Sequence, residues 1–345
     1  MAGHAGAIRI GVIGYGRAVV QQHARELEAL TDKFQVVAVC VPSKDRQDLA
    51  RAKYHCAIYG DYRDLLEDPN VELVDVATPS VDHAAMAIAA LDAGKHVFLE
   101  KPISVSYSEA EALKAAAKRA PGKLLVRHNR RFFSDFVQVK GIIDSGMLGE
   151  VFLIRVRCLK FDLRDDWQTL KERGGGILLN VGPHFIDHCL GFLGWKYASL
   201  WADLKLVAAT GDAEDHAKII FRGEGGLIVD LEISGGAALD EVSFAAYGKH
   251  GALACDGKTI HVKYYDPQKV VSRAARAASP HVDAPFGSGI TIPWIEDVVP
   301  LHPPQREIWN EVYKAIREGE EFPITVEQAV RVMQVIDEVK GMTGV

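Results

Sequence analysis

A short apolar run that breaks on closely spaced glycines and opens at once into helical spacing constrains this chain more than any other feature. Residues 8–13 are apolar enough for a strand buried on both faces, and the sequence continues Gly11-Val12-Ile13-Gly14-Tyr15-Gly16-Arg17-Ala18-Val19. A strand, a glycine turn and a helix in that order form the fingerprint of a dinucleotide-binding βαβ unit. Gly14 permits the tight turn, Gly16 lets backbone approach a pyrophosphate, and the N–H groups of the following helix face that anion. Tyr15, Arg17 and Ala18 complete the predicted cradle. Val19 stands where close packing of helix on strand ordinarily uses Gly or Ala, with Ala18 beside it.

The alternation continues. Apolar runs at 36–41, 73–77, 96–100 and 124–127 are separated by longer segments, with clear helical spacing at 18–30, 81–93 and 106–119, which predicts a parallel sheet wound with helices. Ser106 followed by Glu109 predicts a capping box. Beyond residue 128 the pattern changes. A linking helix at 133–145 and a turn at 146–149 lead into strands at 151–161, 199–208, 217–221, 227–234, 242–247 and 252–255, predicting an open, mostly antiparallel sheet. A helix at 182–193 interrupts them, and helices at 304–317 and 326–339 close the chain. Segment 266–303, rich in Pro, Gly and Ser, reads as a long functional loop. The predicted class is α/β. A Rossmann domain is expected over 1–128 and a substrate-binding and oligomerisation domain over 129–345, with the C-terminal helices packing back on the first. A chain of 345 residues exceeds the ~250–300 that one core usually serves.

Charge and cysteine usage exclude several classes of partner. Forty Lys and Arg against 46 Asp and Glu leave a formal charge of -6, a field that does not favour nucleic acid or an anionic membrane. No apolar segment reaches the ~20 residues that span a bilayer, and residues 1–7 lack a signal-peptide pattern. Five scattered cysteines without metal or redox spacing read as buried thiols in a reducing compartment, so a cytoplasmic location is expected. At the end of the second strand, where an NAD enzyme usually places an acid for the ribose 2′-hydroxyl, stands Val41. Ser43, Lys44 and Arg46 follow, with Asp45 among them, and offer a hydroxyl and two cations to a 2′-phosphate. This favours NADP over NAD.

Further motifs accompany the glycine turn: Ala77-Thr78-Pro79 with His83, Glu100-Lys101-Pro102, Asn129-Arg130-Arg131-Phe132, Ser145-Gly146-Met147-Leu148-Gly149-Glu150, Gly174-Gly175-Gly176 followed by Asn180 and His184, and Phe322-Pro323-Ile324-Thr325. In this order and spacing the chain resembles the glucose-fructose oxidoreductase and inositol dehydrogenase family (Gfo/Idh/MocA) over almost its whole length. The resemblance implies a Rossmann domain, a second α/β domain with an open sheet, and homo-oligomers, dimers or tetramers, formed through that sheet. It also implies metal-free hydride transfer between a nicotinamide and a secondary alcohol of a sugar or cyclitol.

The family's conserved lysine maps to Lys101. Beside a cationic nicotinamide, in a partly desolvated cleft, a lysine loses some preference for its protonated form and is suited to exchange a proton with the substrate hydroxyl as hydride leaves. The family's Asp and His pair maps to Asn180 and His184. Asn180 can orient a hydroxyl but cannot take its proton, so acid–base work falls to His184 and Lys101, with a shifted pH profile. Thr78, Pro79 and His83 are placed on the nicotinamide side, and Glu100 at a ribose. Arg131 and Trp167 are expected to contact substrate, one through a fork of donors and the other through an aromatic face; Asp187 is structural or meets a sugar hydroxyl. His184, Asp187 and His188 share one helical face, but no third ligand is placed and no metal is expected.

Two other functions share these motifs. One is net glycoside cleavage through a bound NAD, with Tyr264, Tyr265 or His281 as an additional acid–base. The other is a regulatory protein that binds a cofactor without chemistry, which the departures at Asn180 and Val19 keep open.

Overall fold

In the computed structural model, which describes residues 6–271, 282–283 and 290–344, the first half of the chain builds β1 (Ile8–Ile13), β2 (Phe34–Cys40), β3 (Ala57–Tyr59), β4 (Leu73–Val76), β5 (His96–Leu99) and β6 (Leu124–Val126). They form one parallel sheet in the order β3-β2-β1-β4-β5-β6. The strand order reverses between β1 and β4, so the chain leaves these two strands in opposite directions and a crevice opens at their carboxyl ends. The connecting helices are α1 (Ala24–Glu28), α2 (Lys44–Tyr54), α3 (Tyr62–Glu67), α4 (His83–Asp92) and α5 (Tyr107–Arg119).

Differences from the sequence reading have local causes. The helix expected at 18–30 begins with a π-helical turn, Val19–His23, before α1. Val19 is buried in the core at 1% exposure. The sequence reading omitted α2, whose only buried residue is Ala50, and β3, which has no buried residue. Neither carries the apolar periodicity that marks an element. Ser106 caps α5 by accepting the Glu109 N–H at 3.3 Å, but the Glu109 carboxylate accepts from Val105 N–H, at 3.1 Å, rather than from Ser106.

After α6 (Ser134–Asp144) comes β7 (Val151–Leu159), then α7 (Ile177–Asn180) and α8 (Gly182–Phe192). The remaining strands are β8 (Ser199–Lys205), β9 (His216–Arg222), β10 (Ile228–Ser234), β11 (Phe244–Gly248), β12 (Gly251–Cys255), β13 (Thr259–Tyr264) and β14 (Ile295–Pro300). The second sheet runs β14-β13-β12-β11-β7-β10-β9-β8, antiparallel except where β7 lies parallel to β10. Within the segment expected to be a loop, β14 pairs with β13; it is an exposed edge strand, so its sequence shows no buried face.

The chain ends with α9 (Ile308–Tyr313) and α10 (Val326–Thr343). Trp309 of α9 is 1% exposed. Its ring meets those of Phe98 at 4.6 Å and Phe34 at 5.3 Å, and its indole N–H donates to Glu26 at 2.8 Å. In turn, α10 packs against α5 and α8. No described helix is long and apolar enough to cross a membrane.

Candidate active site

The glycine turn is built as its sequence requires. Gly14 has φ +98°, and a Cβ there collides with the Ala77 carbonyl oxygen of the neighbouring strand end, so only glycine satisfies both demands. A Cβ at Gly16 meets nothing within 4 Å. Gly16 faces a cavity of about 930 Å³ that runs along the carboxyl ends of the first sheet, lined also by Tyr15, Arg17, Ala18, Thr78 and Pro79. Thr78 Oγ1 is buried there with no hydrogen-bond partner among the described residues, a group awaiting a polar ligand. Open backbone at the turn, a helix start and an orphaned hydroxyl fit a dinucleotide.

The opposite wall comes from residues beyond the first sheet, and its glycine run explains its position. Gly174 and Gly176 have φ of +69° and +109°. A Cβ at Gly175 would lie 2.6 Å from the Gln168 carbonyl, and one at Gly176 collides with the Glu214 carboxyl. Only glycines let the turn carrying Trp167 and Gln168 lie flat against the start of α7. That contact brings Asn180, the last residue of α7, against Gln168. Their amides exchange hydrogen bonds, Gln168 Nε2 donating to Asn180 Oδ1 at 2.8 Å and Asn180 Nδ2 donating to Gln168 Oε1 at 3.2 Å. Trp167, Gln168 and Asn180 all line the large cavity.

Lys101 joins the two walls. Its Nζ donates to the Asn180 carbonyl oxygen at 2.9 Å. Burial lowers its pKa, and Arg130 and Arg127 add to this while Glu100 opposes it. His184 Nδ1 is buried without a partner among the described residues. Burial, then Lys101 and His128, hold the His184 ring well below its ordinary pKa, so it is a neutral imidazole near pH 7; His184 is not among the residues that line the large cavity.

The expected residues divide into two groups. Gly14, Tyr15, Gly16, Arg17, Ala18, Arg46, Thr78, Pro79, His83, Glu100, Lys101, Trp167 and Asn180 line the cavity. Within that set, His83 is already engaged, with its ring nitrogens 2.6 Å from the Pro102 carbonyl and 2.9 Å from the Thr78 carbonyl. Glu100 binds His23, Arg127 and the Lys101 N–H, and these inward bonds oppose a role at a ribose. Ser43 and Lys44 lie outside the lining; Lys44 pairs with Asp48 at 3.2 Å. Arg131 is spent on Asp187, the Pro323 carbonyl and Gln328. Asp187 is 1% exposed, so the pair bolts α8 to the start of α10 instead of facing the cavity.

His188 is stacked on Phe136 at 4.0 Å, with a pKa lowered to about 4 chiefly by burial. Tyr265 packs on His250 and Trp294, and neither Tyr264 nor Tyr265 lines the cavity; His281 lies outside the described residues. The sequence reading missed Arg63 and Gln168, which line the cavity together with Arg46 and Val41. An arginine at the second position of a short helix after the third strand carries no motif of its own, and Gln168 is recognisable only once the glycine run is folded.

A parallel sheet with a glycine turn at its switch point, and a lysine that crosses to the wall of a second sheet, defines a dinucleotide-binding oxidoreductase of two-sheet architecture. Residues 8–128 match the family described as Gfo/Idh/MocA oxidoreductases with an NAD-binding Rossmann fold, and residues 136–254 match the C-terminal domain of the same family. The chain belongs to the Gfo/Idh/MocA family. It is 32% identical over 265 residues to the Escherichia coli oxidoreductase YdgJ, covering 76% of this chain and 73% of that one. It is 26% identical over 351 residues to the scyllo-inositol 2-dehydrogenase (NADP(+)) IolW of Bacillus subtilis, covering 96% and 92%. Among solved structures, an NAD-binding protein from Listeria innocua superposes with a TM-score of 0.81 at 23% identity, covering 98% and 95% of the two chains; that likeness concerns the fold.

Proposed function

We propose that this protein is an NAD(P)-dependent dehydrogenase that transfers a hydride between nicotinamide and a secondary alcohol or ketone of a cyclitol or sugar, with NADP favoured. The observation that carries the reading is the Lys101 amine, desolvated and held at 2.9 Å by the Asn180 carbonyl where the two walls meet. Gly14, Gly16 and the helix start hold the pyrophosphate, and Thr78 and Pro79 border the nicotinamide side. When bound, the nicotinamide supplies a hydride acceptor. Lys101 takes the hydroxyl proton as its amine and returns it as its ammonium; His184 and Asn180 orient the hydroxyl.

The inositol dehydrogenases among its relatives support a small polyol as substrate. A second, small cavity behind the Gln168–Asn180 pair is lined by Lys160, Asp162, Arg164 and Glu214, and its cations are matched, Lys160 to Asp162 at 2.6 Å and Arg164 to Asp166 at 2.7 Å. Arg46 and Arg63, which line the cavity with Val41, favour a 2′-phosphate at the adenosine end.

The test is absorbance at 340 nm with NADP or NAD against a panel of inositols, aldoses, sugar acids and nitrophenyl glycosides. Reduced cofactor should accumulate with a neutral polyol, and Lys101→Ala should lower turnover by roughly 10²–10⁴-fold while cofactor binding persists. Nitrophenol release without net reduction would replace this reading with glycoside cleavage, and normal turnover by the Lys101 variant would remove the mechanism.

A further inference from the structure

Beneath the cleft floor lies a charged cluster that the reaction above does not use. His23, in the π-helical turn after the glycine turn, is 1% exposed. Its Nδ1 lies 2.7 Å from Asp75 Oδ2 on β4 and its Nε2 lies 2.9 Å from Glu100 Oε1 beyond β5. Ionised carboxylates only accept, so with Asp75 and Glu100 both ionised each ring nitrogen donates and the ring is an imidazolium. Burial and Arg127 push against that charge, while Asp75 and the bonds to both carboxylates favour it, with a net rise in pKa to about 9. Rings of Phe98 and Trp309 flank it at 6.3 and 5.9 Å. A buried charge is held only where partners and hydrogen bonds offset its desolvation, as these two carboxylates do.

The cluster leads directly to the proposed proton carrier. Glu100 Oε1 also accepts from Arg127 Nε at 2.8 Å, and Glu100 Oε2 accepts the Lys101 backbone N–H at 3.0 Å. The groups acting on Glu100 are thus His23, Arg127 and Lys101, which overcome burial and hold its carboxyl well below the usual range. Those acting on the Lys101 amine are Glu100, Arg130 and Arg127, and among them only Glu100 favours the ammonium.

We propose that His23 is a positioning residue for proton transfer: its imidazolium clamps the Glu100 carboxylate, which in turn fixes the Lys101 peptide and provides the negative charge that poises the Lys101 amine. The inference rests on the reading of Lys101 as proton carrier. It predicts a displaced pH dependence rather than a mere loss of stability. In His23→Gln the buried Glu100 loses a cationic donor and takes up a proton; Lys101, without the anion beside it, releases its own proton more readily. Alcohol oxidation needs the neutral amine, so its rate should rise at lower pH.

Two measurements test this. The first is nitrogen-15 histidine NMR on the wild type and on Lys101→Ala: the His23 ring should remain doubly protonated at pH 8 in both. A neutral ring overturns the clamp, and this outcome is independent of which residue carries the proton. The second is the pH profile of alcohol oxidation with myo- and scyllo-inositol and NADP. The midpoint for His23→Gln should fall by about one unit, with kcat down about tenfold or more and cofactor affinity within about threefold of wild type. An unmoved midpoint with a lowered melting temperature makes His23 merely structural and overturns the proposal. If that variant does not fold, Asp75→Asn retains the ring, and there the His23 proton should be lost at lower pH; no change overturns the clamp. Undiminished turnover by Lys101→Ala, with His23 still doubly protonated, instead overturns the proton carrier assigned above.

Discussion

At the scale of single residues, the proposed preference for NADP rests on two arginines of the cleft. Arg46 and Arg63 line it, whereas Ser43 and Lys44 do not; Arg63 meanwhile forks onto Asp61 at 3.0 Å. Each charge-assisted bond to a phosphate is worth about 1.5–3 kcal/mol. Replacing both arginines with alanine should therefore weaken NADP binding by about 10²- to 10⁴-fold and NAD binding by less than about threefold, as read by titration calorimetry. Equal losses for the two cofactors would place the 2′-position elsewhere. Asn180 shows the same division between side chain and backbone. Its amide spends one donor and one acceptor on Gln168, leaving a second N–H for the hydroxyl, and it is the backbone carbonyl that holds Lys101.

At the scale of elements, the glycine run before α7 is a fixed hinge pin. Gly176→Ala must place a Cβ into the Glu214 carboxyl at φ +109°, at a cost of about 1–3 kcal/mol. The urea midpoint should drop accordingly, and turnover should fall further as the wall carrying Trp167 and Asn180 shifts. A variant with an unchanged midpoint would show that the turn relaxes freely. The sequence carried the parallel sheet, the glycine turn and Lys101 because their constraints are local: apolar runs, positive φ, a strand end. It did not carry α2 or β14, which lie on the surface and bury almost nothing. Nor did it show that Arg131 and Asp187 satisfy each other, since residues 56 apart in sequence meet only through packing. Arg63 and Gln168 escaped for the same reason.

For the molecule as a whole, the free face of the second sheet carries the expectation of self-association. Register aligns Trp201, Ile220, Asp230, Arg155 and, across the sheet, Val298 in one row. Trp201 and Val298 are 55% and 53% exposed. A second copy laid on this row buries the apolar groups and can match acid to base across the contact. Light scattering should give a dimer or larger species for the wild type and a smaller one for Trp201→Glu; a wild-type monomer would refute this. The last two helices bear on a different question, that of portability. Trp309 closes the pocket around Phe98, Phe34 and His23, Lys33 donates to Asn310 at 2.7 Å, and the Tyr107 N–H donates to Asp337 at 2.9 Å. The nucleotide-binding half is therefore not a cassette that can be cut out after β6. A chimaera that exchanges only residues 1–128 inherits an open seam beside Phe98 of β5, and one that also carries residues 308–343 does not.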